Sequence, residues 1–256
     1  MRRDHSRVCR EDRSEGLIVK QDTLAQLNAE RLARRPVVVI TNIATGEQRL
    51  VKAADVAKDP LRAELDKHLR MNRSKLVHVD GNDLFLNIYA PTARLVIIGA
   101  VHISQTLAPL AQSLGYDVYV VDPRTAFASP ERFPDVRVVA DWPETVLPAM
   151  NIDRYTALAA VTHDPKIDDF ALLHALERDC FYIGALGSRK THGKRLDRLR
   201  AAGETDSSLS RIRSPIGMDI GAVSPPEIAV AVMAQITAAL RLPASSNMTA
   251  RVSVPA

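Results

Sequence analysis

The residues best suited to chemistry stand where short apolar runs give way to glycine, acid or base. The densest such stretch is Gly184-Ala185-Leu186-Gly187-Ser188-Arg189-Lys190-Thr191-His192. Gly184 and Gly187 free the backbone, Ser188 can cap a helix, and the N–H groups of a helix starting there favour negative charge. Arg189 and Lys190 add two cations, so the stretch is read as an anion site. The competing reading is a glycine turn into a solvated basic helix, because Lys194, Arg195, Arg198 and Arg200 continue the charge.

Four further clusters follow the same logic. In Thr162-His163-Asp164-Pro165, the acid and the proline are helix-start chemistry, and Asp168 and Asp169 suit the first turn of that helix. His163 is left over, placed for proton transfer, metal contact or a hydrogen bond to a ligand, or held structurally. Asp122-Pro123-Arg124 offers an acid that could meet a ribose hydroxyl and a base that could meet a phosphate, or else an aspartate capping its own turn. Gly99-Ala100-Val101-His102-Ile103-Ser104 occupies the place of a dinucleotide fingerprint but keeps only its first glycine. A branched Val101 where pyrophosphate needs backbone access argues against ordinary NAD binding. Asp219, between Gly217 and Gly221, could orient a ligand amide or bond its own turn. Cys180 opens an apolar run and reads as an inert small hydrophobe unless the fold brings it to the crevice.

Positioning such residues requires a scaffold, and from Arg94 to Leu240 the chain supplies one. Apolar runs at 95–98, 118–121, 136–139, 157–161 and 181–183 alternate with helical segments, the pattern of an α/β, Rossmann-type, doubly wound parallel sheet. A helix over 103–114 carries Leu107, Leu110, Ala111 and Leu114, with Gly115 past its end. Ser224-Pro225-Pro226-Glu227 is a capping box opening the last helix. Before that scaffold lies a small N-terminal α+β domain over 21–91. In it, Asp22 is expected to cap a helix, strands are expected at 37–41 and 48–51, and Asp59 with Pro60 should start a second helix. A hairpin is expected to turn at Asp80-Gly81-Asn82. The domains are therefore a disordered arm at 1–20, the α+β domain at 21–91, the Rossmann-type domain at 92–242 and a disordered tail at 243–256.

Composition narrows the classes. The chain has 256 residues, a formal net charge of +4, 25% charged and 4% aromatic residues. Few aromatics and nearly balanced charge argue against nucleic acid, and an anionic small molecule or acidic partner suits the excess base better. The N-terminus has no apolar segment after its arginines, and the apolar run 228–240 is too short for a bilayer. No membrane association is expected, and two cysteines in unlike contexts fit a reducing cytoplasm.

Taken together, LVIIGAVHISQ, VVDPRTAFASPERFP, THDPKIDD, FYIGALGSRKTH and PIGMDIGAVSPPEIAVAVMAQI resemble the XdhC/CoxI family of molybdenum-enzyme accessory proteins. The resemblance covers about 94–240. It implies a chaperone that transiently binds molybdenum cofactor, a pterin dithiolene with a terminal phosphate, and delivers it to a xanthine dehydrogenase-type apoenzyme. A cofactor-supplying or sulfurating enzyme and a second copy of the chain are further partners it leaves open. Cofactor-binding residues are then expected at Gly99, His102, Asp122, Arg124, His163, Gly184, Gly187, Ser188, Arg189, Lys190 and Asp219, with none assigned to catalysis and the metal ligands unassigned. The alternative is an NAD(P)-dependent oxidoreductase using Asp122 and His163; an interaction module with an empty crevice is a third reading.

Overall fold

A computed structural model describes residues 21–242; the arm expected at 1–20 and the tail at 243–256 lie outside the described residues. The chain divides after Pro91 into two compact units.

The first unit contains α1 (Gln21–Leu32), β1 (Val37–Asn42), β2 (Gln48–Lys52), α2 (Arg62–Met71), β3 (Lys75–Val79) and β4 (Asn82–Tyr89). Its strands form an antiparallel sheet in the order β2-β1-β4-β3. Asp80 and Gly81 both have positive φ, 50° and 76°, which matches the right-handed twist of a two-residue hairpin. Val38, Ile40, Leu65 and Leu86 fill the core beneath the sheet. Two expected caps are corrected. Asp22 sits within the first turn of α1. Asp59 closes a 3-10 stretch, Ala53–Lys58, and binds the Leu61 amide at 2.9 Å while pairing with Arg49, so α2 starts beyond Pro60.

The second unit runs β5 (Arg94–Ile98), α3 (His102–Ser113), β6 (Asp117–Val121), β7 (Arg137–Val139), α4 (Pro143–Met150), β8 (Thr156–Ala160), α5 (Pro165–Glu177), β9 (Tyr182–Ala185), α6 (Arg189–Ala201), α7 (Asp206–Leu209), β10 (Ile212–Arg213) and α8 (Pro225–Arg241). All six strands are parallel, in the order β10-β9-β8-β5-β6-β7. This is a doubly wound sheet: the chain leaves central β5 toward β7, then returns to build β8, β9 and β10 on the other side. Period-two alternation divides the core. Leu95, Ile97, Val118 and Val120 face α3 and α8, whereas Val96, Ile98, Val121 and Leu158 face α4 and α5. Each such side chain, wholly buried, stabilises the fold by about 1.5–3 kcal/mol relative to exposure. The capping box is present: Ser224 accepts from the Glu227 amide, and the Glu227 carboxylate accepts from the Ser224 amide. Among the described residues no helix is long and apolar enough to cross a membrane.

Candidate functional site

The switch point between β5 and β8 is where a doubly wound sheet usually opens a crevice. Here it is tightly packed. Gly99 has φ 118°, and a Cβ on it would lie 2.6 Å from Thr162 Cγ2, so glycine is required both by backbone and by space. Ser104, fully buried, donates its hydroxyl to the Gly99 carbonyl at 2.6 Å. Val101 packs against the core beneath α3, and His102 is exposed at the first residue of that helix.

Asp122, expected at a ribose or in its own turn, is fully buried and bonded within the protein. It accepts from the Ala100 amide at 2.8 Å, the Arg124 amide at 2.9 Å, and the Arg124 side chain at 2.9 and 2.7 Å. Burial pushes its carboxyl upward, but Arg124 and the two amides outweigh that and hold it below the ordinary aspartate range. Arg124 in turn stacks on Phe127, 4.5 Å from the ring centroid. Arg132 ties the loops together by donating to the carbonyls of Ala100 and Phe127 at 2.9 and 2.8 Å. The Asp122 carboxylate is therefore taken up by Arg124 and the Ala100 amide, while the Arg124 side chain stays 36% exposed.

The open site lies one strand further on, between the amino ends of α5 and α6. It is a cleft of about 350 Å³ with His163 and Pro165 on one side and Lys190, Thr191, Lys194 and Arg198 on the other. Spacing explains the second wall: 190, 194 and 198 are four apart, and 191 and 195 form the adjacent row of the same helix face. Lys190 and Lys194 are exposed, and neither pairs with an acid among the described residues. Arg198 is engaged by Asp169 at 2.5 and 2.9 Å.

Asp168 and Arg195 also line this cleft, 1% and 2% exposed. Arg195 donates to the Leu186 carbonyl at 2.9 Å, and Asp168 accepts from the Thr162 hydroxyl at 2.7 Å. Burial raises the Asp168 carboxyl above its ordinary range, against the opposing pull of the Thr162 hydroxyl and Arg195. His163 lines the cleft with φ 67°, a left-handed conformation it shares with six other non-glycine residues among those described, Asp80 included. Asp164 caps α5 by accepting from the Lys166 amide at 3.0 Å.

The glycine loop divides. Gly187, with φ 140°, lies immediately before the cap residue Ser188, which accepts from the Thr191 amide at 3.2 Å. Gly184 is corrected: it belongs to β9, where a Cβ would meet the Tyr182 hydroxyl at 2.6 Å and Ile216 at 2.7 Å. Its absent side chain serves packing. Arg189 is exposed and stands outside the lining of the cleft. Asp219 is exposed and makes no bond to its own turn among the described residues. Its turn is held instead by Gln235, which exchanges two 3.0 Å bonds with the Gly217 backbone. Cys180 precedes β9 at the opposite, amino end of the sheet, and burial pushes its thiol up to about 12. Among the described residues no group of three or more His, Cys, Asp or Glu could hold a metal ion.

Of the candidates read from the sequence, His163 and Lys190 line this cleft, with Gly187 and Ser188 at the start of α6 beside it; Asp168, Lys194, Arg195 and Arg198 are lining residues that local sequence reading did not single out as a site.

Comparison with known proteins adds to this geometry. A family model described as the XdhC Rossmann domain matches residues 95–236. The chain is 32% identical over 163 residues to a Bacillus subtilis protein named as a probable subunit of xanthine dehydrogenase, covering 63% of this chain and 47% of that one. It is 32% identical over 154 residues to the molybdenum cofactor insertion chaperone PaoD of Escherichia coli, covering 60% and 42%. Protein YqeB of Escherichia coli is 31% identical over 157 residues, covering 60% and 28%. The matches thus span less than half the length of these curated relatives. A crystal structure of a xanthine dehydrogenase from Bacillus halodurans superposes with a TM-score of 0.60 at 24% identity, covering 91% of this chain and 66% of that one; that likeness speaks to the fold.

Proposed function

The chain belongs to the XdhC family, whose Rossmann domain its residues 95–236 match, and on that premise we propose that it binds molybdenum cofactor in the α5–α6 cleft and hands it to a xanthine dehydrogenase-type apoenzyme. The observation that carries the reading is the row Lys190–Lys194 at the mouth of a cleft, two exposed cations with no acid partner among the described residues. The terminal phosphate of the cofactor is the group such a row would hold, assisted by the amino end of α6 behind Gly187 and Ser188.

Exposed lysines suit a carrier rather than a permanent holder. Each charge-assisted bond is worth about 1.5–3 kcal/mol at best, and solvent exposure and salt reduce that further. The cargo is retained weakly enough to be surrendered to a partner that encloses it. The names of two relatives, one an insertion chaperone for molybdenum cofactor and one a probable part of a xanthine dehydrogenase, support this class of partner. The oxidoreductase alternative loses its acid, since Asp122 is consumed by Arg124 and the Ala100 amide.

The test is transfer. Full-length protein purified anaerobically, loaded with molybdenum cofactor and mixed with a cofactor-free xanthine dehydrogenase should restore that enzyme's activity faster than free cofactor does. Restoration no faster than with free cofactor would reject the delivery role.

A further inference from the structure

Resting on the cofactor-carrier reading above, we infer that the floor of the cleft recognises an uncharged ring edge, the 2-amino-4-oxopyrimidine edge shared by pterins and guanine, while the rim lysines hold the anionic group of the same ligand. The floor carries unmet hydrogen-bonding capacity of both signs. Arg195 Nε and Nη1 and Asp168 Oδ2 are buried and meet no hydrogen-bond partner among the described residues. Their companion atoms are satisfied, Arg195 Nη2 by the Leu186 carbonyl and Asp168 Oδ1 by the Thr162 hydroxyl. What remains is a guanidinium edge that donates beside a carboxylate oxygen that accepts, with 3.9 Å between Arg195 Nη2 and Asp168 Oδ2.

Charge decides what fits there. A bare anion gains from Arg195 but is repelled by Asp168, so the pair offers it little. A ring edge that gives N–H to Asp168 and presents a carbonyl to Arg195 satisfies both, and the 2-amino-4-oxopyrimidine edge is built that way. Lumazine keeps the N3–H but sets an oxo acceptor against the Asp168 carboxylate where pterin has its 2-amino donor. Adenine has an acceptor at N1, no 2-amino group, and an amino group where Arg195 would meet a carbonyl, so each loses a hydrogen bond that the 2-amino-4-oxo edge makes. The rim is the opposite environment, with Lys190 and Lys194 free of acids among the described residues. The cleft is therefore polar and nearly neutral at its floor and positive at its mouth. Its volume of about 350 Å³ lies at the lower end of small-molecule sites and suits a bicyclic head with a short anionic tail.

Arg195 Nη2 binds the Leu186 carbonyl, and a Cβ on Gly187 would lie 3.9 Å from Arg195 Nη1. The 186–187 backbone thus lies beside the Arg195 guanidinium. Gly187, with φ 140°, keeps a side chain away from that guanidinium.

Ligand-side substitutions test this without disturbing the fold. Wild-type, full-length protein is titrated calorimetrically with pterin and lumazine, which differ only in an amino or oxo group at C2, and with GMP and AMP. The expected result is a preference of ~10-fold or more for pterin over lumazine, for GMP over AMP, or for both, the loss of one hydrogen bond to a charged group. Preference in one pair alone supports the edge and identifies the ring system. Equal affinities within both pairs, or no binding by any of the four, overturn the inference. Asp168→Asn turns the unmet acceptor into a donor and should abolish the preference while inorganic phosphate still binds; a preference that survives in the folded variant overturns the role of Asp168. Discrimination without cofactor transfer would reject the carrier reading and leave this inference standing, and transfer without discrimination would do the reverse.

Discussion

Asp168 and Arg195 face each other across 3.9 Å at the floor of the cleft, near enough to attract and too far apart to hydrogen-bond. With Asp168 1% exposed, burial raises its carboxyl against the Thr162 hydroxyl and Arg195. A raised folded pKa means that the folded chain holds the proton more tightly than the unfolded chain. The resulting stability is full below the unfolded value of about 3.9 and is lost as pH rises through the folded value. Asp168→Asn keeps an acceptor for Thr162 and does not ionise, so it should gain stability relative to the parent as pH climbs from about 4 toward neutrality. Denaturant unfolding at a series of pH values measures this; a difference that is flat or falls with pH contradicts it.

Asp122 should behave with the opposite sign. Its folded carboxyl is held below the ordinary range despite burial, chiefly by Arg124, so the stability it confers is present above the unfolded pKa and is lost as pH falls through the folded one. Arg124→Ala removes a partner whose side chain is 36% exposed, and the Ala100 and Arg124 amides still reach the carboxylate. The expected cost near neutral pH is about 2 kcal/mol, shrinking on acidification. An unchanged unfolding midpoint at neutral pH would show that the pair contributes nothing.

Gly99→Ala should destabilise the second unit by roughly 1–3 kcal/mol, because φ 118° strains any side chain and the new Cβ would meet Thr162 Cγ2 at 2.6 Å. Thr162→Ser removes that methyl and keeps the hydroxyl, so the double variant should recover part of the loss. A double-mutant cycle with no coupling would mean the two residues do not compete for the same space.

Much of the fold is legible in the sequence and much of the site is not, for a common reason. The runs at 95–98 and 157–161 announce themselves because strands buried on both faces are continuously apolar, whereas the run at 136–139 holds an edge strand, β7, with Arg137 exposed. The two-residue β10, Ile212–Arg213, leaves no such pattern. Gly184 reads as a loop glycine because nothing local reveals the Tyr182 hydroxyl and Ile216 that press on it. The row 190, 194, 198 has helical spacing but reads as a solvated face until the turn carrying His163 is seen opposite it. Asp168 reads as an acid favouring a helix dipole, and only tertiary burial beside Arg195 in the cleft lining makes it a candidate. Conversely, Arg189 and Asp219 have suitable chemistry but lie outside the lining of the cleft.

Nicotinamide dinucleotides should not bind tightly. Val101 stands where pyrophosphate would approach the backbone, and the acid that would meet a ribose is closed off by Arg124. Calorimetric titration with NADH and NADPH should show no saturation below millimolar concentration, and micromolar binding would restore the oxidoreductase reading.

The most direct measurement of the central claim compares retention of molybdenum cofactor by full-length Lys190→Ala/Lys194→Ala and Arg189→Ala proteins with that of the parent. Both variants change exposed positions on α6 that alanine suits, so folding is expected to survive. The double variant should retain the cofactor at least ~10-fold more weakly and with a shallower salt dependence, while Arg189→Ala, outside the cleft, should stay near the parent. Parental affinity in the folded double variant, or a larger loss in Arg189→Ala than in the double variant, would contradict the assignment of the α5–α6 cleft as the cofactor site.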